Sequence, residues 1–183
     1  MVYWLITFVL FLVGAIVFHL LQRKPATPKI KAETRFIDDP LLGQCLIRLP
    51  VVGQNQSKGF VEFKHEIDGS ECQFHDVFID ESGGTAGMTD TLNRLRKYFA
   101  FATNSEKMKI YRNSLAQLTS IHNTFFPDEP LDPVTLKSSA KLYQVTILDT
   151  EAWFRFSSKR FMHGRPMCVT VDESGNVTFV GAG

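Results

Sequence analysis

The sequence is poor in cysteine and lacks the short motifs that mark common metal and nucleotide sites. Only three of its 183 residues are cysteines, and they stand far apart, at Cys45, Cys72 and Cys168. An odd, widely spaced set does not make a disulfide framework and suits a reducing compartment. The chain has no C-x-x-C or H-E-x-x-H pair and no glycine-rich phosphate-binding motif. We therefore expect no metal ion and no cofactor.

An excess of charge of one sign is also lacking. The chain has 20 Lys and Arg against 19 Asp and Glu, which gives a net charge of +1. Five of the basic residues share one short stretch with a single acid, Glu33: they are Arg23, Lys24, Lys29, Lys31 and Arg35. The rest of the chain is therefore mildly acidic, and this balance argues against nucleic acid as a partner.

The segment from Val2 to Leu21 contains no Asp, Glu, Lys or Arg. A helix of about 20 residues is about 30 Å long, which matches the hydrocarbon core of a bilayer. A cleaved signal peptide is the alternative, but it has a basic start and a shorter apolar run. Because the basic residues follow this segment, the positive-inside rule places the rest of the chain in the cytoplasm. The sequence thus predicts a single-pass protein of the cell inner membrane, which contacts the lipid bilayer through Val2 to Leu21.

This segment divides the chain into three predicted parts. Residues 1–22 form a transmembrane helix, residues 23–35 form a basic, proline-containing juxtamembrane linker, and residues 36–183 form one soluble domain. A domain of that length can build a hydrophobic core of its own. Its predicted elements run as strands, then helices, then strands. This order is typical of an α+β fold with an antiparallel sheet and two to three helices.

The clearest local structure is a hairpin over residues 60–80. Asp68-Gly69 is a typical two-residue turn, because both turn positions need a positive φ. With these two residues as the loop, Phe63 lies opposite Phe74, and the side chains separate into two faces. The apolar face holds Val61, Phe63, Ile67, Cys72, Phe74 and Phe78, and the polar face holds Glu62, Lys64, Glu66, Glu71 and Gln73.

Helical periodicity follows this hairpin. Thr89 or Asp90 can cap the first helix, and Asp132-Pro133 is typical of an N-cap and the first helical residue. The predicted helices cover residues 89–102, 105–122 and 133–140.

Strand patterns lie on both sides of the helical region. They predict strands at residues 45–49, 143–148, 153–157, 167–171 and 177–180. In the last pair, Val169, Val171, Val177 and Phe179 are predicted to share one face across a turn at residues 172–176.

A polar, glycine-containing loop separates two of the late strands at residues 161–166. It is basic and carries a histidine, as loops that contact ligands or partners often do. We therefore take His163 and Arg165, together with Asp76 and Asp80 at the end of the hairpin, as candidate contacts with a ligand or partner. The alternatives are a plain strand connection for the loop and a solvated strand end for the acids. No residue is assigned a catalytic role.

Over residues 38–183 the chain resembles an uncharacterised bacterial family, a domain of unknown function. The resemblance rests on the opening Asp39-Pro40-x-x-Gly43, the early hairpin, the helical middle and the late Phe161-x-His163-Gly164. The family tends to have F-x-G-H where this chain has Phe161-Met162-His163-Gly164. It carries no assigned chemistry, and members with a membrane helix or near toxin-immunity loci imply an immunity or accessory role.

These observations favour binding over catalysis. The hypothesis is a membrane-anchored, non-enzymatic binding protein, and an immunity protein that masks a partner protein is one version of it. Two alternatives remain open. One is a small hydrolase or transferase built from His163, Arg165 and the acids near Asp76, and the other is a structural component of a membrane assembly. A deep pocket that joined these three residues would favour the enzyme.

Overall fold

The computed structural model describes residues 33–49, 58–79 and 87–183. These residues form eight strands, four α-helices and two short 3-10 turns. The strands are β1 (Thr34–Asp39), β2 (Gly43–Arg48), β3 (Lys58–Ile67), β4 (Ser70–Ile79), β5 (Lys141–Leu148), β6 (Glu151–Ser157), β7 (Met167–Asp172) and β8 (Val177–Ala182). The helices are α1 (Met88–Thr103), α2 (Ser105–Ser114), α3 (Leu118–Phe125) and α4 (Pro133–Ser139), and the 3-10 turns are Leu115–Gln117 and Met162–Gly164.

The eight strands form one sheet, whose spatial order is the order along the chain. Every neighbouring pair is antiparallel except β4 and β5, which run parallel. The predicted antiparallel sheet is therefore wrong, and the sheet is mixed. The physical reason is the connection between β4 and β5, which contains all four helices. A crossover of this length can return the chain to the end of the sheet where β4 began, whereas a hairpin reverses the direction of the chain.

Within the described residues, no helix is both long enough and apolar enough to cross a membrane. The predicted transmembrane helix, Val2 to Leu21, lies outside those residues. For the described residues the structure corrects the predicted α+β domain with an antiparallel sheet and two to three helices: the sheet is mixed, and there are four α-helices. It also adds β1, which is absent from the predicted elements. β1 pairs with β2 along its whole length, from Thr34 opposite Arg48 to Asp39 opposite Gly43.

The hairpin of β3 and β4 has the predicted register. Phe63 lies opposite Phe74, and Asp68 and Gly69 form the two-residue turn. Both turn residues have a positive φ, 50° and 71°. The predicted apolar face is buried at Val61, Phe63, Ile67, Cys72 and Phe74, each of them at most 6% exposed. This part of the prediction is confirmed.

Two of the three predicted helices differ in detail from the structure. α1 has Gly87, with a φ of 81°, at its N-cap in place of Thr89 or Asp90. The predicted helix over residues 105–122 is split into α2 and α3 by a 3-10 turn. α4 forms as predicted, and its N-cap carboxylate, Asp132, accepts two backbone N–H hydrogen bonds.

The helices cover one face of the sheet, and we call the opposite face, on which no described helix packs, the open face. α1 packs on β3, β4 and β5, and α2 and α3 reach β8. The alternation along β6 shows the two faces, because Ala152, Phe154 and Phe156 are fully buried while the residues between them are part-exposed. The hydrophobic core therefore lies on the helical side.

Candidate functional site

The three sequence-predicted site residues that the structure describes are not brought together. His163 and Arg165 are exposed in the loop between β6 and β7, whereas Asp76 lies in β4 and is 1% exposed. Asp80 lies outside the described residues. Through the strand pairing Asp76 is level with Val171, which is about 13 Å along β7 from the loop, and about 14 Å of sheet separates β4 from β7. The enzyme alternative therefore has no assembled site at these residues.

Asp76 is engaged in an ion pair. Its Oδ2 accepts a hydrogen bond from Arg94 Nε at 2.9 Å. Arg94 also donates to Thr91 Oγ1, within α1. Because Asp76 belongs to β4 and Arg94 to α1, their ion pair connects the helix to the strand. Burial raises the pKa of Asp76, and Arg94 acts in the opposite direction. The ion pair therefore links a helix to the sheet at a cost in desolvation.

The loop between β6 and β7 is held by a histidine that the sequence pattern did not single out. His122 lies in the last turn of α3 and is 3% exposed. Its Nδ1 accepts the backbone N–H of Met162 at 3.0 Å, and its Nε2 lies 2.9 Å from the carbonyl oxygen of Glu129. A neutral imidazole with its proton on Nε2 satisfies both hydrogen bonds. The neighbouring His163 has a φ of 57°, and its ring packs edge-on against an aromatic side chain of the helical region.

A cleft of about 560 Å³ lies on the face of the sheet opposite the helices, over β5 to β8. We call it the open-face cleft. Six of its lining residues carry the argument that follows: Tyr143, Glu151, Trp153, Arg155, Cys168 and Phe179. A mostly apolar cleft of this volume with a few polar groups is typical of a small-molecule site. None of the three sequence-predicted site residues that the structure describes, Asp76, His163 and Arg165, lines it.

A β-bulge turns Phe179 into the open-face cleft. Thr170 pairs with Phe179 while Val171 pairs with Val177, so Thr178 is an extra residue in β8. One extra residue reverses the face to which the following side chains point. Phe179 is therefore 61% exposed on the open face, while Val171 is buried and Val177 packs on the core. The prediction that Phe179 shares a face with these two valines is wrong for this reason.

A second bulge lies at Tyr143. In the pairing of β5 with β6, Leu142 lies opposite Phe156 and Gln144 lies opposite Arg155, so Tyr143 is the extra residue. Leu142 is 1% exposed, whereas Tyr143 and Gln144 are both part-exposed. Tyr143 follows the buried Leu142 and lines the open-face cleft, and the bulge turns Gln144 to the same face.

Strand β6 supplies two further lining residues. Trp153 and Arg155 alternate with the buried Phe154, so they share the open face. The guanidinium carbon of Arg155 lies 5.6 Å from the Trp153 ring centroid, and its Nη1 donates to Gln144 Oε1 at 3.3 Å. The indole N–H of Trp153 donates to Glu151 Oε1 at 3.2 Å. The period of two in the predicted strand was the sequence signal that could have placed Trp153 and Arg155 on one face. It did not show which side chains of the other strands would join them.

One cysteine reaches the open-face cleft. Cys168 lies opposite Arg155 and is half-buried, whereas Cys45 and Cys72 are fully buried. Burial raises the pKa of the Cys168 thiol, and Arg155 acts against this rise. At neutral pH the side chain is therefore a thiol rather than a nucleophilic thiolate. The cleft offers aromatic surfaces, one guanidinium and one carboxylate, which suit the binding of a flat, mostly apolar molecule.

Comparison with known proteins identified no relative of this chain, so its function is inferred from the cleft. No protein-family model, curated protein or solved structure matches this chain. The resemblance of residues 38–183 to a bacterial family of unknown function stays a prediction. Within the parts of the chain that the structure describes, no three His, Cys, Asp or Glu side chains are grouped as a metal site requires.

Proposed function

We propose that this chain is a non-enzymatic binding protein that holds a small, largely apolar ligand in the open-face cleft. The observation that carries the proposal is the convergence of three aromatic side chains, Tyr143, Trp153 and Phe179, on one cleft. They converge on the face of the sheet that does not form the core. Phe179 reaches it through a β-bulge, a feature that often redirects side chains next to functional sites.

The exposure of Phe179 supports this proposal. Full burial of a Phe side chain is worth about 1.5–3 kcal/mol relative to exposure in water. Phe179 is 61% exposed, so the fold leaves much of that free energy unrealised. The same face over β3 and β4 carries charged pairs instead, such as Lys64 with Glu71 at 2.8 Å. A ligand that covers the aromatic walls would bury the apolar surface that the fold leaves in water.

The test uses N-phenyl-1-naphthylamine, an uncharged aromatic probe whose fluorescence rises when it leaves water. The full chain is titrated with the probe, and Phe179→Ala is compared with Phe125→Ala. Phe125 is the matched control, because it is 66% exposed on α3 and does not line the open-face cleft. Loss of about half a buried Phe, about 1–1.5 kcal/mol, predicts about five- to tenfold weaker binding for Phe179→Ala. Phe125→Ala should leave the affinity unchanged.

The emission of Trp153 gives a second readout. Trp4 and Trp153 are the two tryptophans of the chain, so Trp4→Phe leaves Trp153 as the sole reporter. Bound probe should quench this emission by energy transfer. Equal affinities of wild type and Phe179→Ala, with unchanged Trp153 emission, would place the probe elsewhere and refute the proposal.

A further inference from the structure

We infer that the ligand of the open-face cleft carries one anionic group, a carboxylate or sulfonate, which pairs with Arg155 while its flat body packs against the aromatic walls. This inference rests on the proposed function, because it names the class of molecule that the cleft accepts.

Arg155 is a cation without a carboxylate partner among the described residues. Four other arginines lie within 4.0 Å of an acid: Arg35, Arg94, Arg96 and Arg112. Arg155 is half-buried, and its hydrogen-bond partner in the described part of the chain is the neutral Gln144. A guanidinium has five N–H donors in a planar fork that fits a carboxylate. Donors of Arg155 therefore remain for a ligand.

The acid that lines the open-face cleft does not neutralise Arg155. Glu151 lies four residues before Arg155 in β6, so the Cα atoms of the two residues are about 13 Å apart. Its Oε1 accepts the indole N–H of Trp153, and its strand partner is a second acid, Asp172. The cleft is therefore polarised along the strand, with Glu151 at one end and Arg155 at the other. A ligand with its anion at the Arg155 end matches this polarity, whereas the reverse orientation would place the anion beside the Glu151 carboxylate.

Trp153 orients the guanidinium of Arg155. The guanidinium carbon stands 5.6 Å from the centroid of the indole ring, within the range of a cation–π contact. The indole N–H is held in turn by Glu151. A cation that is already oriented loses less conformational entropy when it binds an anion.

The test compares two probes that differ by one sulfonate, 8-anilinonaphthalene-1-sulfonate and N-phenyl-1-naphthylamine. In the full chain, Arg155→Met should weaken binding of the sulfonate about tenfold or more, because charge-assisted hydrogen bonds are lost. Binding of the uncharged probe should change less than about twofold, because Met keeps most of the side-chain volume. Arg155→Lys should keep a preference for the sulfonate because it keeps the charge.

Arg48→Met is the matched control. Arg48 also lies over an aromatic ring, with its guanidinium carbon 4.7 Å from the Phe60 centroid, but it belongs to β2 and does not line the open-face cleft. This variant should leave the affinities for both probes unchanged. Added salt should weaken binding of the sulfonate to wild type more than to Arg155→Met.

The outcomes separate the inference from the proposed function. Equal loss of both probes in Arg155→Met, or no loss of either, overturns the inference and leaves the cleft as an apolar binding site. Binding of both probes that is insensitive to Phe179→Ala refutes the proposed function and the inference with it. If Arg155→Met fails to fold, the decision passes to Arg155→Lys and the salt dependence. A wild-type chain whose sulfonate binding is unaffected by salt then overturns the inference.

Discussion

Replacing His122 by Phe tests whether one buried imidazole holds the loop between β6 and β7. Phe keeps a ring in a site that is 3% exposed and lies next to the rings of Phe126 and Phe161. It removes both ring nitrogens, so the backbone N–H of Met162 and the carbonyl oxygen of Glu129 lose their partner. The variant therefore isolates the hydrogen bonds from the packing.

The magnitude follows from the two groups that are left behind. A buried polar group without a partner costs about 1–3 kcal/mol. The N–H of Met162 is in a part-buried contact and should bear most of this cost, whereas Glu129 is exposed and its carbonyl can bind water. We expect His122→Phe to lower the free energy of unfolding by about 2–3 kcal/mol.

Urea unfolding, followed by the emission of Trp153 in the Trp4→Phe background, measures this loss. His163→Gln is the matched control, because His163 is exposed and its ring is roughly perpendicular to the Phe126 ring that it contacts. Its effect should stay within about 0.5 kcal/mol. A His122→Phe variant as stable as wild type, or a His163→Gln variant as unstable as His122→Phe, would contradict the assignment of the loop anchor to His122.

Two further predictions concern ionisable groups. The Arg96 guanidinium holds the pKa of Asp39 below its usual range. The ionised carboxylate therefore stabilises the fold at any pH above its pKa in the unfolded chain, about 4. This stabilisation is lost as the pH falls through the lower pKa that Asp39 has in the folded chain. In urea titrations, the unfolding free energy of wild type should therefore fall more steeply below about pH 4 than that of Asp39→Asn, and equal slopes would contradict this. Cys168 should be the thiol that reacts in the folded chain, because Cys45 and Cys72 are fully buried. A chromogenic thiol reagent should label Cys168 faster at about pH 9.5 than at about pH 7.5, since the pKa of this thiol is raised. Bound N-phenyl-1-naphthylamine should slow the reaction. Labelling of all three thiols before unfolding would contradict this prediction.

Local chemistry was enough to predict the hairpin of β3 and β4 and the start of α4. Asp68-Gly69 favours a positive φ at both turn residues, and the alternation of apolar and polar residues then leaves one register. Asp132 caps α4 because its carboxylate can reach the first free N–H groups of that helix. These interactions join residues a few positions apart, so they are visible in the sequence.

The candidate site could be predicted only in part. A strand was predicted over residues 153–157, which include Trp153 and Arg155, but the predicted contacts were polar residues of a loop and of a strand end. In the structure His163 lies in the exposed loop and Asp76 is paired with Arg94. The open-face cleft is built from four strands, and such a set converges only when the sheet has formed.

The sequence by itself therefore determined the short-range elements, namely the turns, the caps and the period of each strand. Tertiary structure alone decided the parallel direction of β5 beside β4, the burial of His122 and the bulge that turns Phe179 to the open face. The physical reason is that the apolar alternation of a strand is the same whichever way its neighbour runs. One extra residue in a strand reverses its faces without changing its composition.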